Sequence, residues 1–232
     1  MMTTNKLTKT FASGSLAIGV LAGSVLTATS ASATAMLTWE QWTGTPTTPG
    51  TPLIWNDKKV TYVPNLAAVD PFNPIGAEAL DEVALTEMGN DHYYFIYNAV
   101  TLGAPDENKG PGGSFTYTIA VNPLSSPKSI VGVDLDSDVS SNYGTVTEKF
   151  AEIPGLSLVS TNGSQDPASG FYPIAPKKLL TVTNTLANTN PGTEGLFQLQ
   201  NSFRQSVPEP GTVLGLLAVG GLGLVSRFKK QK

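Results

Sequence analysis

From Lys58 onward the chain alternates apolar and polar positions with a period of two, the mark of half-buried β-strands. In "KKVTYVPNL", Val60 and Tyr62 stand against Lys59, Thr61 and Val63. In "SFTYTIAVN", Phe115, Tyr117, Ile119 and Val121 alternate with Ser114, Thr116, Thr118 and Ala120. "SIVGVDLDSD", "YGTVTEKFAEI", "LSLVSTN", "KKLLTVTNTL" and "GLFQLQNSF" continue in the same style. Gly, Pro, Asn and Asp clusters such as "GAPDENKGPGG" and "NGSQDPASG" separate them. "DEVALTEMGNDHYYFIYNAVTL" reads as a hairpin turning at Gly89-Asn90-Asp91. A short helix over Ala77–Met88 is its rival, because Leu80, Ala84 and Met88 recur every fourth residue. Short Thr/Val/Tyr-rich strands with turns between them predict an all-β fold, an antiparallel β-sandwich over residues 53–206, with jelly-roll and immunoglobulin-like topologies both open.

Residues 36–52 precede that body. "TGTPTTPGTP", Thr43–Pro52, reads as a Pro/Thr spacer on an extended surface path. Both ends of the chain break the β pattern. Lys6 and Lys9 precede the apolar stretch "FASGSLAIGVLAGSVLTATS", and "SASATAM" supplies small residues for cleavage after Ala33 or Ala35. Residues 1–35 therefore read as a secretory signal peptide, expected to be helical, with an uncut N-terminal anchor as the alternative. At the other end, residues 211–226 form an uncharged apolar run, expected as a single transmembrane helix of about 24 Å. Pro208 and Pro210 fix its start, and Arg227, Lys229, Lys230 and Lys232 belong on the cytoplasmic side.

Pro208-Glu209-Pro210, the apolar run Val213–Val225 and the basic end Arg227–Lys232 together resemble the PEP-CTERM sorting signal of exported Gram-negative proteins, cyanobacterial ones included. The resemblance covers residues 207–232. It implies an exosortase-type membrane protease as partner, acting at the Pro-Glu-Pro motif. Residues 208–210 and Arg227 are then parts of a substrate. It also implies a precursor held transiently in the inner membrane and a mature form at the cell surface, outer envelope or extracellular matrix. A plain tail anchor is the alternative. The strands "SFTYTIAVNP", "SIVGVDLDSDVS" and "YGTVTEKF" also resemble the β-rich bodies of PEP-CTERM surface proteins, which carry no assigned activity.

Charge sharpens this picture. Met36–Ser206 holds 8 basic and 17 acidic side chains, a net −9 that the whole-chain −4 conceals because both ends are basic. An acidic body repels phosphate backbones, so nucleic acid is not an expected partner. The chain has no cysteine, so stability has to come from a core.

The residues point away from catalysis. His92 is the only histidine and there is no thiol, which excludes multi-histidine metal sites and cysteine chemistry. No enzyme activity and no firm cofactor are expected. Two constellations remain. Asp134, Asp136 and Asp138 in "DLDSD" share one side of a strand, either as a weak calcium site or as a solvated face running into a turn. Trp39, Trp42 and Trp55, all of the tryptophans, are either a platform for stacking sugars or anchors of a terminal segment. The expected role is an exported surface or exopolysaccharide-matrix protein, with a carbohydrate-binding module, assisted by calcium, as the second reading.

Overall fold

The computed structural model describes residues 34–89 and 91–207. The expected transmembrane helix, the Pro-Glu-Pro motif, Arg227 and all but the last two residues of the expected signal peptide lie outside them. Among the described residues no helix is long and apolar enough to cross a membrane.

The expected hairpin forms. Strands β6 (Glu82–Glu87) and β7 (His92–Asn98) pair antiparallel from Glu87↔Tyr93 to Glu82↔Asn98. Gly89 and Asp91 adopt φ values of 68° and 65°, the left-handed conformation that Gly and Asp tolerate in tight turns. The helix rival for this stretch is thereby excluded.

Two six-stranded antiparallel sheets make the body. The first runs β1 (Ala35–Thr38), β6, β7, β14 (Leu196–Ser206), β9 (Ser129–Val139), β12 (Tyr172–Lys177). The second runs β11 (Ser157–Thr161), β10 (Gly144–Phe150), β13 (Leu179–Asn188), β8 (Gly112–Val121), β5 (Lys58–Val63), β4 (Leu53–Trp55). Strand β7 pairs with β14, β8 with β13, β9 with β12 and β10 with β11. The orders β7-β14-β9-β12 and β8-β13-β10-β11 are those of a long hairpin folded over twice, which is jelly-roll connectivity. Strands β1, β4, β5 and β6 widen the two sheets on one side.

The segment before residue 53 is neither a separate piece nor an extended spacer. Its β1 pairs with β6 from Ala35↔Leu85 to Thr38↔Glu82. Thr38 then caps a five-residue helix α1 (Trp39–Thr43): its hydroxyl accepts from Gln41 N, and Gln41 Oε1 accepts from Thr38 N. The proposed spacer turns back on itself as a small hairpin, β2 (Gly44–Thr45) with β3 (Thr48–Pro49). Trp39 and Trp42, three residues apart, share one face of α1 and enter the core, 2% and 1% exposed. Trp42 meets Tyr62 of β5 and Phe95 of β7, each with ring centroids at 5.1 Å. Trp39 meets Tyr97 at 5.2 Å and Phe115 of β8 at 5.5 Å. The helix thus plugs the space between the sheets.

A polar seam crosses the same interior. Tyr117 Oη donates to Asn201 Oδ1 at 2.9 Å, and Asn184 and Asn201 exchange amide hydrogen bonds of 2.7 and 3.1 Å. Ser137 and Ser160 bond across the sheets at 2.7 Å. Glu148 lies fully buried beside this seam, and neither carboxyl oxygen has a hydrogen-bond partner. Burial raises its pKa well above the carboxylate range, reinforced by the charge of Asp134 and opposed by Asn201. Burial also raises Asp134 and Asp81 to about 6 each.

Two outcomes are expected. Trp42→Ala removes a fully enclosed indole and costs about 3–5 kcal/mol of stability, measured by denaturant unfolding; a loss below about 1 kcal/mol contradicts the plug. The second concerns pH. Raised carboxyl pKa values mean that the folded chain binds more protons than the unfolded chain between the ordinary carboxylate range and about 6. Stability therefore falls as pH rises through that window. Glu148→Gln removes part of the penalty, so its gain in melting temperature is larger at about pH 7.5 than at about pH 4.5. A parent whose melting temperature climbs across the window contradicts the assignment.

Candidate functional site

The carboxylates of β9 lie on the outer face of the first sheet, because Val133, Leu135 and Ser137 take the inner one. The strand runs extended beside β14 from Ser129 to Val139. Alternate side chains on such a strand stand about 7 Å apart, whereas a calcium ion needs its oxygens at about 2.3–2.6 Å. Asp134 is buried under Gln165, whose Nε2 donates to both carboxyl oxygens at 3.1 and 3.0 Å. Asp136 Oδ1 accepts from Ser137 N at 2.8 Å, and Asp138 is exposed. Among the described residues no three acidic or imidazole groups come together to hold a metal. The convergence of Asp134, Asp136 and Asp138 that the calcium reading requires is not present among the described residues.

The tryptophans do not form a platform either. The rings of Trp39 and Trp42 are enclosed by the aromatic core described above. Trp55, on the edge strand β4, is half-buried, and its Nε1 is buried without a partner. The ring neighbours of Trp39 and Trp42 are Tyr62, Tyr97, Phe95, Phe115 and Tyr117, and Trp55 is not among them. Tyr93, Phe95 and Tyr97 of β7 are core residues as well.

What α1 creates instead is a cleft of about 410 Å³, with Trp39, Thr43, Pro46, Val69, Pro71 and Phe72 among its walls and Glu40 and Asp70 beside them. The far wall is held by its own side chains. Asp70 Oδ1 accepts from Phe72 N and Asn73 N, and Asn73 exchanges two 2.7 Å bonds with the Ala77 backbone. Trp39 Nε1 donates to Phe72 O at 3.1 Å and ties the two walls together. The volume is in the range of small-ligand pockets. A smaller cavity of about 230 Å³ is lined by Glu78, Asp81, Asp106, Glu107 and Lys109. There Lys109 pairs with Glu107 at 2.9 Å, and Asp81 Oδ2 accepts from Tyr97 Oη at 2.6 Å.

The most unusual polar group lies at the start of β5. Lys58 is completely buried. Its Nζ donates to Asp57 Oδ1 at 2.7 Å and sits 4.1 Å from the centroid of the Tyr93 ring. Tyr93 Oη also donates to Asp57 Oδ1, at 3.0 Å. Gln205, from the end of β14 in the other sheet, donates from Nε2 to Asp57 Oδ2 at 2.8 Å. Gln205 is 3% exposed, and its Oε1 is buried without a partner. Burial lowers the Lys58 pKa, partly offset by Asp57. Burial acts to raise Asp57, but the bonds from Lys58, Gln205 and Tyr93 prevail and hold it below the usual range. The period-two pattern carried a signal for Lys58, which has the parity of Val60 and Tyr62 and so faces inward with them. Nothing local pointed to Gln205, which is 148 positions from Asp57.

His92 is half-buried on the outer face, its ring 4.9 Å from that of Phe171.

No curated protein matches this sequence. Residues 206–230 match the PEP-CTERM protein-sorting motif. The match begins at Ser206, the last residue of β14, so the jelly roll ends where the motif starts. That motif supports reading the chain as a PEP-CTERM protein, exported and recognised by an exosortase.

Proposed function

We propose that this chain is a non-catalytic structural protein of the cell surface or the exopolysaccharide matrix, released from its membrane precursor by cleavage at Pro208-Glu209-Pro210. The observation that carries the proposal is the sorting motif at residues 206–230, adjoining a strand that finishes the folded body. An exported processing substrate needs a body that holds together without its sorting tail. Strand β14 meets that need, because it is paired on both sides by β7 and β9 from Gln198 to Arg204 and by β9 on to Ser206. The net −9 over Met36–Ser206 suits a hydrated extracellular setting and opposes binding to polyanions. The single histidine and the absence of cysteine support a role without catalysis.

The fold also bears on the N-terminal cleavage. Strand β1 begins at Ala35, opposite Leu85, and Thr34 Oγ1 donates to Thr86 Oγ1 at 3.3 Å. Cleavage after Ala33 leaves these pairings whole, whereas cleavage after Ala35 removes the first residue of β1. Intact-mass measurement of the protein from its own host should therefore give a chain that starts at Thr34 and lacks the segment after the Pro-Glu-Pro motif. The same chain in a strain without exosortase should keep Arg227–Lys232. A mature surface form that retains Arg227–Lys232 in the normal host overturns the proposal.

A further inference from the structure

We propose that Lys58 and Gln205 become joined by an intramolecular isopeptide bond, with Asp57 as the proton relay. One carboxylate holds both reacting groups. Its Oδ1 accepts from the amine at 2.7 Å and its Oδ2 from the primary amide at 2.8 Å. Both side chains come from strand ends fixed by pairing, Lys58 opposite Val121 and Gln205 opposite Ile130. Their juxtaposition is built into the fold, which turns a reaction between two chain segments into an effectively unimolecular one. The reacting side chains are enclosed, Lys58, Tyr93 and Gln205 being 0%, 1% and 3% exposed, while the Asp57 side chain keeps 20% exposure at the edge of the site. Excluding water suppresses hydrolysis of the amide and favours the neutral amine that acts as nucleophile.

The chemistry balances without an added reagent. Asp57 takes a proton from the Lys58 ammonium, and the neutral amine attacks Cδ of Gln205, pushing the carbonyl electron pair on to Oε1. That pair returns as the Cδ–Nε2 bond breaks. Of the three ammonium protons, one stays on the new amide nitrogen and two pass by way of Asp57 to the departing nitrogen. The nitrogen leaves as ammonium, and Asp57 ends as the carboxylate it began as. The product is one N–C bond between β5 and β14, a covalent tie between the two sheets in a chain that has no disulfide.

Peptide mapping tests this on the full chain, exported by its host, denatured and digested. The expected product is a branched peptide joining the Lys58 segment to the Gln205 segment, lighter than the two together by one ammonia. Lys58→Arg and Asp57→Asn should each abolish it and return two linear peptides. Recovery of both linear peptides, with free Lys58 and intact Gln205, from folded parent protein overturns the proposal whatever the variants do. A branched peptide that persists undiminished in Asp57→Asn overturns the relay. Neither result depends on whether the sorting tail has been removed.

Discussion

Two tryptophans on one turn of helix hold the sandwich together. Trp39 and Trp42 touch β5 and β8 in one sheet and β7 in the other through Tyr62, Phe115, Tyr117, Phe95 and Tyr97. Aromatic side chains bury more area than any others and prefer the edge-to-face and tilted geometries found here. With no cysteine, cohesion of the described fold rests on such burial. The capped turn at Thr38 matters for the same reason, since it fixes the direction in which both indoles point. The cleft beside α1 follows from the plug, because its walls are the outer edge of the segment that the tryptophans draw inward.

The interior is not uniformly apolar. Asn184, Asn201 and Tyr117 form a closed set of hydrogen bonds between the sheets, and Glu148 sits beside them without one. A satisfied buried network adds little net stability but penalises alternatives, since any slip leaves its members unpaired. In a strand the penalty is sharp: a shift of one residue would carry Asn201 to the outer face and Gln200 into the core. The asparagines therefore specify the register of β14 against β13 across the core. Glu148 works against stability at neutral pH, since burial and the charge of Asp134 outweigh the opposing influence of Asn201.

The sandwich was readable because long strands alternate cleanly: Phe115–Val121 and the stretch around Val182 each bury every second residue. The hairpin at Gly89 was readable from turn chemistry. Strand order was not, since it is set by pairing between distant segments. Strand β12 escaped notice because Pro173 and Pro176 argue against a strand; it lies at a sheet edge with an irregular register, where proline is tolerated. Helix α1 hid behind the prolines that follow it, although Thr38 and Gln41 spell a capping box. For the aspartates of β9 the shared face left a calcium site and a solvated face both open, and sharing a face of a straight strand keeps the three apart. At the two ends, order and chemistry of residues sufficed to expose the sorting signal, because there the message lies in the linear sequence itself.

The position of β14 has a mechanical consequence. It is the only strand that runs between β7 and β9, with Gln198–Arg204 bonded on both sides. The chain leaves it directly toward residue 208, so a molecule held by that end and dragged by flow takes the load along the axis of β14. Its ladder bonds lie across that axis. A pull in this direction strains both ladders together, like two strips sheared past each other. An edge strand peeled sideways would instead lose its bonds singly, at a fraction of the force. The jelly roll thus places a strand gripped on both sides where the chain continues into the sorting motif.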